Sequence, residues 1–259
     1  MKKNIIFVVA KLWSGRKWTM GLFLWVAVWE IISVYSDPLI VPGPRASLYA
    51  LWGLVASGAL WPELKTTTFR ALSGFGLAFF SGSVLGLLAG MFLTVSMLMR
   101  PVITILTGTP PIAWLVLALL WFGSGNGTPV FTAFIACLPV VFVSGMQGAR
   151  TLDGNLKMVA GAFELPALMR LTDIYLPHMI SYLIPGALTA LGISWKVTVM
   201  AELLATVTGV GAALAVTRSH LDTAGTMAWI LSTVIVLLSV EYLVFEPVKR
   251  RTERWRTLE

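Results

Sequence analysis

The chain has 259 residues, of which 57% are hydrophobic and only 12% are charged. Ordinary soluble domains carry roughly 25% charged residues, so this chain lacks the polar surface that a soluble domain exposes to water. The composition predicts a membrane protein with several spanning segments. It argues against a disordered chain, a secreted disulfide scaffold and a free-standing soluble enzyme.

The net charge of +7 does not indicate nucleic acid as a partner, because the Lys and Arg residues cluster between apolar stretches. This placement is typical of the topology signal of membrane proteins. If the N-terminus is cytoplasmic, fourteen of the 19 Lys and Arg residues fall on the cytoplasmic side, four fall on the outer side and Lys196 lies within a span. We therefore expect both termini in the cytoplasm.

Six apolar stretches are long enough to span a bilayer. Each is expected to be a helix, because lipid offers no hydrogen-bond partner to backbone groups. The first is longer than the apolar core of a signal peptide and no cleavage site follows it, so we expect it to be retained. The whole chain is predicted to be one all-α transmembrane domain, 1–259, with spans at 18–35, 69–95, 101–122, 129–149, 179–205 and 227–245.

Connections between the spans are placed by the same topology. The segments 36–68 and 206–226 are expected outside, and 46–60 is expected to lie as an amphipathic helix on the membrane surface. Gly-rich residues 123–127 predict a tight external turn. The segment 150–178 is expected in the cytoplasm.

Two charged residues of the fifth span are not explained by topology. Lys196 lies near its middle, and Glu202 lies six residues further on, so the two side chains face directions about 120° apart. A helix with charges on two faces is not surrounded by lipid. Either these residues line a transport pathway, or they pair with other helices. Glu30 and Glu241 lie near span ends, where interfacial water or a nearby cation is expected to solvate them.

Paired prolines, Pro110 and Pro111, interrupt the third predicted span. They release backbone carbonyls and bend the helix, which a bilayer tolerates only where protein or a water-filled cavity covers the break. A bend that only serves packing and a functional cavity are both compatible with this pattern.

The cytoplasmic segment 150–178 contains two possible short helices, 160–163 and 166–175, with more apolar residues than a solvated loop requires. Exposed apolar patches usually mark a binding surface for another protein. We expect this segment to bind a protein partner rather than to lie against the membrane.

Sequence motifs for catalysis are absent. The chain has no phosphate-binding G-x-x-x-x-G-K-[ST] loop, no H-E-x-x-H motif and no G-x-S-x-G motif, so no catalytic residue, metal ligand or cofactor site is predicted. The two histidines, His178 and His220, are expected on opposite sides of the membrane.

The cytoplasmic segment resembles the EAA loop of ABC importer permeases, in which E-A-A is followed after three residues by G and after nine more by I-x-L-P. The run Ile174-Tyr175-Leu176-Pro177 matches the end of that pattern and Ala160 matches its second alanine. Met158, Val159 and Glu164 replace the E, the first A and the G.

Other stretches resemble the permeases of the nitrate, taurine, aliphatic-sulfonate and bicarbonate group of ABC importers. Their order and spacing agree along nearly the whole chain from about residue 25. They are Val41-Pro42-Gly43-Pro44, Gly58-Ala59-Leu60-Trp61, Thr109-Pro110-Pro111-Ile112-Ala113-Trp114, Leu120-Trp121-Phe122-Gly123, Ser194-Trp195-Lys196, Ala201-Glu202-Leu203-Leu204 and the terminal run from Lys249-Arg250-Arg251 to Trp255-Arg256.

The resemblance implies a six-helix permease of the type I importer fold in a bacterial-type inner membrane, working as a homodimer. Its partners would be two ATPase subunits, which hold the ATP and Mg, and an extracytoplasmic substrate-binding protein. The solute would be small and either anionic or zwitterionic, with an anion preferred. The loss of the EAA glutamate and glycine implies a locally different loop or an altered groove on the ATPase.

Two sets of residues are assigned on this basis. Those expected to couple to the ATPase are Ala160, Gly161, Phe163, Glu164, Leu165, Leu168, Arg170, Ile174 and Pro177. Those expected to line the translocation pathway are Pro110, Pro111, Trp114, Trp195, Lys196, Met200 and Glu202.

Three alternatives stay open from the sequence. A stand-alone secondary transporter or channel is disfavoured by the apolar cytoplasmic loop and by the lack of a tandem repeat. A membrane scaffold without transport would tolerate neutral residues at positions 196 and 202. A different permease could also replace the second copy in the dimer.

Overall fold

A computed structural model describes residues 20–21, 23–37, 39–152, 154, 158, 162–245 and 247. These residues form helices joined by short connections, with no strand among them, which confirms the predicted all-α class. The helices are α1 (Phe23–Tyr35), α2 (Pro44–Ala56), α3 (Leu60–Met91), α4 (Leu93–Gly108), α5 (Pro111–Phe122), α6 (Gly127–Arg150), α7 (Leu176–Ala205), α8 (Val210–Ser219) and α9 (Thr223–Val240).

Helix lengths and hydropathy agree with a membrane protein. Four helical stretches of the described chain are long and apolar enough to span a bilayer: Leu60–Met91, Gly127–Arg150, Arg170–Ala205 and Thr223–Leu243. The bent pair α4–α5 passes the same test as one broken span, and α1 is a shorter apolar helix. Four long helices and the bent pair thus correspond to five of the six predicted spans, and the helix at the first predicted span is shorter than the test requires.

The third predicted span, 101–122, is not one straight helix. The chain is helical from Leu93, and α4 and α5 meet at an angle of 98° across the break at Thr109 and Pro110. Thr109 is extended (φ −88°, ψ 126°), as expected for a residue that precedes proline. Pro111 then begins α5, where its missing N–H costs nothing. The two prolines therefore cause the break that their sequence suggests.

The second predicted span, 69–95, also differs from the structure. Helix α3 begins nine residues earlier, at Leu60, and ends at Met91, so part of the expected outer connection 36–68 is helical. The predicted span starts later along the chain than the helix does. Glu63, Lys65 and Arg70 lie in the first turns of α3 and lower the hydropathy there. The amphipathic segment 46–60 corresponds to α2, which ends at Ala56.

Residues 166–175 do not form a separate helix. A helical turn at Ala167–Met169 leads into a π-helix at Arg170–Tyr175, which runs directly into α7. The N–H of Leu176 donates to the carbonyl of Leu171, five residues earlier. The other short helix, predicted at 160–163, includes Ala160 and Gly161, which lie outside the described residues.

The described residues divide into two compact units, one from Leu60 to Ala215 and from Thr233 onward, the other up to Ala59 with Val216–Ser232. In the first unit, α6 packs between α3 and α7, and α3 also contacts α7. A Cβ atom at Gly86 would lie 2.5 Å from the carbonyl oxygen of Phe142. The α3–α6 contact thus requires small residues, as is usual where spanning helices approach closely. In the second unit, Trp29 Nε1 of α1 donates to the carbonyl of Pro42 at 2.9 Å.

Candidate functional site

Helix α7 presents its two charged residues to different surroundings. The side chain of Lys196 is exposed, whereas Glu202 is completely buried. Lys196 lies nine residues before the end of α7, which is about 14 Å along the helix axis. Because the apolar core of a bilayer is about 30 Å thick, this position is near its middle if α7 ends at the interface.

The exposed residues in the middle of α7 are mostly polar, whereas Ile180 and Leu204 are exposed nearer its ends. Between Ser181 and Met200, the exposed residues are Ser181, Pro185, Thr189 and Lys196. Their spacing of four, four and seven residues places them within about 80° of one another around the helix. We call these four residues the polar stripe. Met200, half-buried, continues the same face.

The exposed residues of a neighbouring helix in the same unit differ from those of the polar stripe. The exposed residues in the middle of α3 are large and apolar: Leu72, Leu77, Phe80 and Val84. The polar stripe contains no such residue and carries a cation. An unsheltered Lys at the bilayer centre costs about 3 kcal/mol on insertion scales and more in simulations. The polar stripe is therefore not a surface for lipid.

The opposite charge, Glu202, belongs to a buried network. Its Oε1 accepts a hydrogen bond from Arg70 Nη1 at 2.7 Å, and both side chains are nearly inaccessible. Its Oε2 accepts from Thr67 Oγ1 at 2.7 Å and from the N–H of Gly211 at 3.1 Å. Three donors thus satisfy the carboxylate, which a buried charge requires. Of the two roles left open by the sequence, Glu202 makes the interhelical pair.

Arg70 is held from several sides at once. Its Nε donates to Asn126 Oδ1 at 2.8 Å, its Nη1 to the carbonyl of Thr208 at 2.6 Å and its Nη2 to Thr208 Oγ1 at 2.8 Å. We call Thr67, Arg70, Asn126, Glu202 and Thr208 the Arg70 clasp. It joins α3, the start of α6, the end of α7 and the turn that leads into α8.

The turn between α7 and α8 closes over the clasp because it contains two glycines. Gly209 has a φ of 101°, and a Cβ there would lie 2.3 Å from the carboxylate carbon of Glu202. A Cβ at Gly211 would lie 2.2 Å from the carbonyl oxygen of Val199. The N–H of Gly209 donates to Glu63 Oε2, and the N–H of Val210 donates to Thr67 Oγ1 at 2.9 Å. The glycines thus let the backbone run directly over the buried ion pair.

The other predicted pathway residues lie apart from the ion pair. Pro110 and Pro111 are exposed at the α4–α5 break, and Trp114 is half-buried in the first turn of α5. Trp195 is buried on α7. The Nε1 atoms of both tryptophans are buried without a hydrogen-bond acceptor among the described residues. The structure therefore separates Lys196 on the exposed stripe from Trp195 and Glu202 on the buried side.

Part of the predicted coupling segment exposes apolar side chains. Phe163 and Leu168 are highly exposed, as is Met169 to a smaller extent. Arg170 Nε donates to the carbonyl of Leu165 at 2.8 Å and closes the turn between them. Ile174 and Leu165 are half-buried and Pro177 is exposed. Ala160 and Gly161 lie outside the described residues.

Glu164 adopts the backbone conformation that favours glycine. Its φ is 48°, in the left-handed region, which costs an L-residue with a side chain about 1–2 kcal/mol. This is the position at which the EAA pattern has glycine. A glycine would adopt this conformation without strain, and the side chain of Glu164 is exposed.

The sequence does not identify Arg70 as a site residue. Arg70 is one of the four Lys and Arg residues assigned to the outer side, although it lies within a long apolar stretch, one residue inside the predicted span 69–95. That position is a signal, because an ionisable residue inside a span needs a partner. The partner, Glu202, is 132 residues away in sequence. Among the described residues, His, Cys, Asp and Glu form no group of three that could hold a metal.

Comparisons with known proteins agree with this architecture. Residues 82–253 match the family model described as binding-protein-dependent transport system inner membrane component. The chain is 29% identical over 216 residues to the putative aliphatic sulfonates transport permease protein SsuC of Escherichia coli strain K12, covering 80% of this chain and 82% of that protein.

Two further similarities concern the solute class and the fold. The chain is 25% identical over 199 residues to the nitrate import permease protein NrtB of Synechococcus elongatus, covering 73% of this chain and 71% of that protein. A crystal structure of an amino acid ABC transporter with histidines superposes with a TM-score of 0.58 at 13% identity, covering 81% of this chain and 98% of that chain. This likeness concerns the fold alone.

Proposed function

Because the chain belongs to the family of binding-protein-dependent transport system inner membrane components, we propose that it forms the path of a small anionic solute through an ATP-driven importer. Its relatives include permeases named for aliphatic sulfonates and for nitrate, and both solutes are anions. The observation that carries the proposal is the polar stripe of α7, which exposes Lys196 at bilayer depth. We propose that a second copy of the chain pairs with this face.

The polar stripe has an unfavourable free energy in contact with lipid. A face with Ser181, Thr189 and Lys196 has a lower free energy next to water or protein than next to acyl chains. Two copies that bring their stripes together around a water-filled path satisfy this requirement for both lysines. The lysines then give the path a positive potential, which favours an anion over a cation or a neutral solute.

Glu202 does not cancel this potential. Its charge is neutralised by Arg70 at 2.7 Å inside the bundle, so the pair acts on the path only as a dipole. Lys196 is left as the net charge of α7 between Ser181 and Ala205. An unpaired acid near Lys196 would oppose a preference for anions, and the pairing with Arg70 removes this objection.

Coupling to ATP hydrolysis would use the exposed apolar side chains of Phe163, Leu168 and Met169. Such a patch fits a hydrophobic groove on an ATPase subunit, and the family description implies a solute-binding protein on the other side of the membrane. In this proposal, ATP and Mg bind to the ATPase partners, the patch faces the cytoplasm and the chain itself is not catalytic.

The test is solute uptake by the complete transporter in liposomes, with its ATPase and binding protein. We expect ATP-dependent uptake of a sulfonate or nitrate by the natural chain, and uptake reduced about tenfold or more by Lys196→Met, with partial activity in Lys196→Arg. Lys65→Met is the matched control, because Lys65 is also an exposed lysine but lies in the first turns of α3. Undiminished, normally coupled uptake by Lys196→Met would remove Lys196 from the path. Uptake without ATPase subunits would contradict the importer assignment.

A further inference from the structure

The Arg70 clasp fixes the direction in which one side of α7 points. Glu202 lies in the last turn of α7 and is held towards α3 by Thr67 and Arg70 and towards α8 by the N–H of Gly211. These hydrogen bonds are directional and buried. A rotation of α7 about its axis would break them and separate the carboxylate of Glu202 from the guanidinium of Arg70.

The same rotation would move the polar stripe. Successive residues of an α-helix are about 100° apart, so Lys196 faces a direction about 120° from that of Glu202. With Glu202 held against α3 and α8, Lys196 and Thr189 must face away from the bundle. A shift by one residue would turn Lys196 by about 100°, away from the face that it now occupies.

Apolar packing also contributes to this rotation. The buried residues of α7 include small ones, among them Gly186, Ala190, Ala201 and Ala205, and large ones, Met179, Leu183 and Trp195. The large side chains fill particular spaces between the helices, whereas the small ones allow a close approach. Buried polar groups can specify one arrangement among several packings of similar free energy.

We infer that Arg70 and Glu202 are positioning residues that set the rotation of α7 and thereby direct the polar stripe into the solute path. The inference rests on the proposed function for its transport consequence, but the rotation itself can be measured without transport. Neither residue contacts the solute in this scheme. Their contribution is to hold Lys196 and Thr189 on the open face.

The experiment separates rotation from stability by removing both charges together. Taking away one partner of a buried pair is strongly destabilising, whereas replacing both by apolar residues is often close to neutral. We therefore compare the natural chain with Arg70→Met/Glu202→Leu in the complete transporter. A second double variant, Arg70→Met/Glu202→Gln, also removes the charges but keeps an acceptor for the donors of Thr67 and Gly211.

Rotation is read by cysteine labelling in a Cys137→Ala background. Thr189→Cys lies on the polar stripe, and Ala190→Cys lies next to it on the buried side. A water-soluble thiol reagent is expected to label position 189 at least about tenfold faster than position 190 when α7 has its natural rotation. Thermal stability of the complex and ATP-dependent uptake are measured on the same variants without the added cysteines.

The inference predicts a specific combination of results. Arg70→Met/Glu202→Leu should assemble with a smaller loss of thermal stability than Arg70→Met alone, lose about tenfold in uptake and lose most of the difference in labelling between positions 189 and 190. Arg70→Met/Glu202→Gln should recover part of both uptake and labelling difference. Ser194→Ala is the matched control, because it removes an uncharged contact between α7 and α3, the 2.7 Å hydrogen bond to the carbonyl of Ala71. It should keep the labelling difference and most of the uptake.

The inference is overturned if the apolar double variant is stable and keeps both the labelling difference and the uptake. It is equally overturned if the labelling difference stays while uptake is lost, because the clasp would then act on transport by another route. If the natural chain takes up no solute, the proposed function fails, and the labelling ratios still decide whether the clasp sets the rotation. If the apolar variant does not assemble, the Gln variant and the same labelling ratio provide the decision.

Discussion

Removal of Arg70 alone should destabilise the bundle far more than removal of both charged partners. The substitution Arg70→Met leaves the carboxylate of Glu202 in a completely buried position without its cation. The carboxylate keeps two hydrogen bonds, from Thr67 and from the N–H of Gly211. Breaking a buried ion pair in this way typically costs about 3–5 kcal/mol. Because these two donors remain, we expect a loss of stability near the lower end of that range.

Glu202→Gln is expected to cost less, about 1–3 kcal/mol. The cation of Arg70 keeps its bonds to Asn126 and to the two oxygen atoms of Thr208, and the amide oxygen of Gln can still accept from Thr67. In Arg70→Met/Glu202→Gln no unpaired charge remains, so the loss should fall below that of Arg70→Met. The two single changes are therefore not additive, and their coupling free energy should be about 2 kcal/mol or more.

The assay is denaturant unfolding of the purified protein in detergent, followed by fluorescence of its 11 tryptophans, for the two single variants and the double variant. The pair Thr132→Ala and Ser194→Ala serves as a reference cycle, since both remove a buried hydroxyl that donates to a backbone carbonyl. A coupling free energy near zero for Arg70 and Glu202, or an Arg70→Met variant as stable as the natural chain, would refute the reasoning from the buried ion pair.

Two further predictions concern backbone positions. Gly209→Ala should lower stability by about 2 kcal/mol or more, because φ is 101° and the added Cβ would lie 2.3 Å from the Glu202 carboxylate. Gly125→Ala is the control, because no atom lies within 4 Å of a Cβ at that position. Equal unfolding midpoints for the two variants would refute the predicted clash at Gly209. Because the φ of Glu164 is 48°, Glu164→Gly should be neutral or stabilise the protein by up to about 1 kcal/mol, and Glu164→Val should destabilise it by about 1–2 kcal/mol. Glu164→Gly should also retain the ATPase in the purified complex. Loss of the ATPase from Glu164→Gly would show that the acidic side chain itself is needed.

The sequence predicted the parts of the fold that depend on local composition. Hydropathy predicted α6 to within two residues at each end. The predicted span is 129–149, and the helix runs from Gly127 to Arg150. Proline chemistry located the break at Thr109 and Pro110 but not its angle of 98°, because the angle depends on how α4 and α5 pack against α3 and α6. Local composition also missed the first turns of α3, where charged residues interrupt the apolar pattern.

Only part of the candidate site could be predicted from the sequence. Lys196 and Glu202 are evident candidates because charged residues are rare in spans, but their sequence neighbours do not show which of them has a partner. The partner of Glu202 is Arg70, which is 132 residues away in the sequence. The structure also shows that glycines at 209 and 211 are needed for the backbone to cross the ion pair.

The pairing of Glu202 also decides what sign of charge the solute path presents. Two unit charges interact with about 332/(εr) kcal/mol, so an unpaired carboxylate on the same helix as Lys196 would oppose the lysine along the whole path. Once Arg70 lies 2.7 Å from that carboxylate, their fields nearly cancel at distances much larger than their separation. In the proposed function, the lysine on the polar stripe is then the charge that an incoming solute meets, and a second copy of the chain would double it. We therefore expect Lys196 to favour anions, and Glu202, buried on another side of α7, to hold that lysine in place.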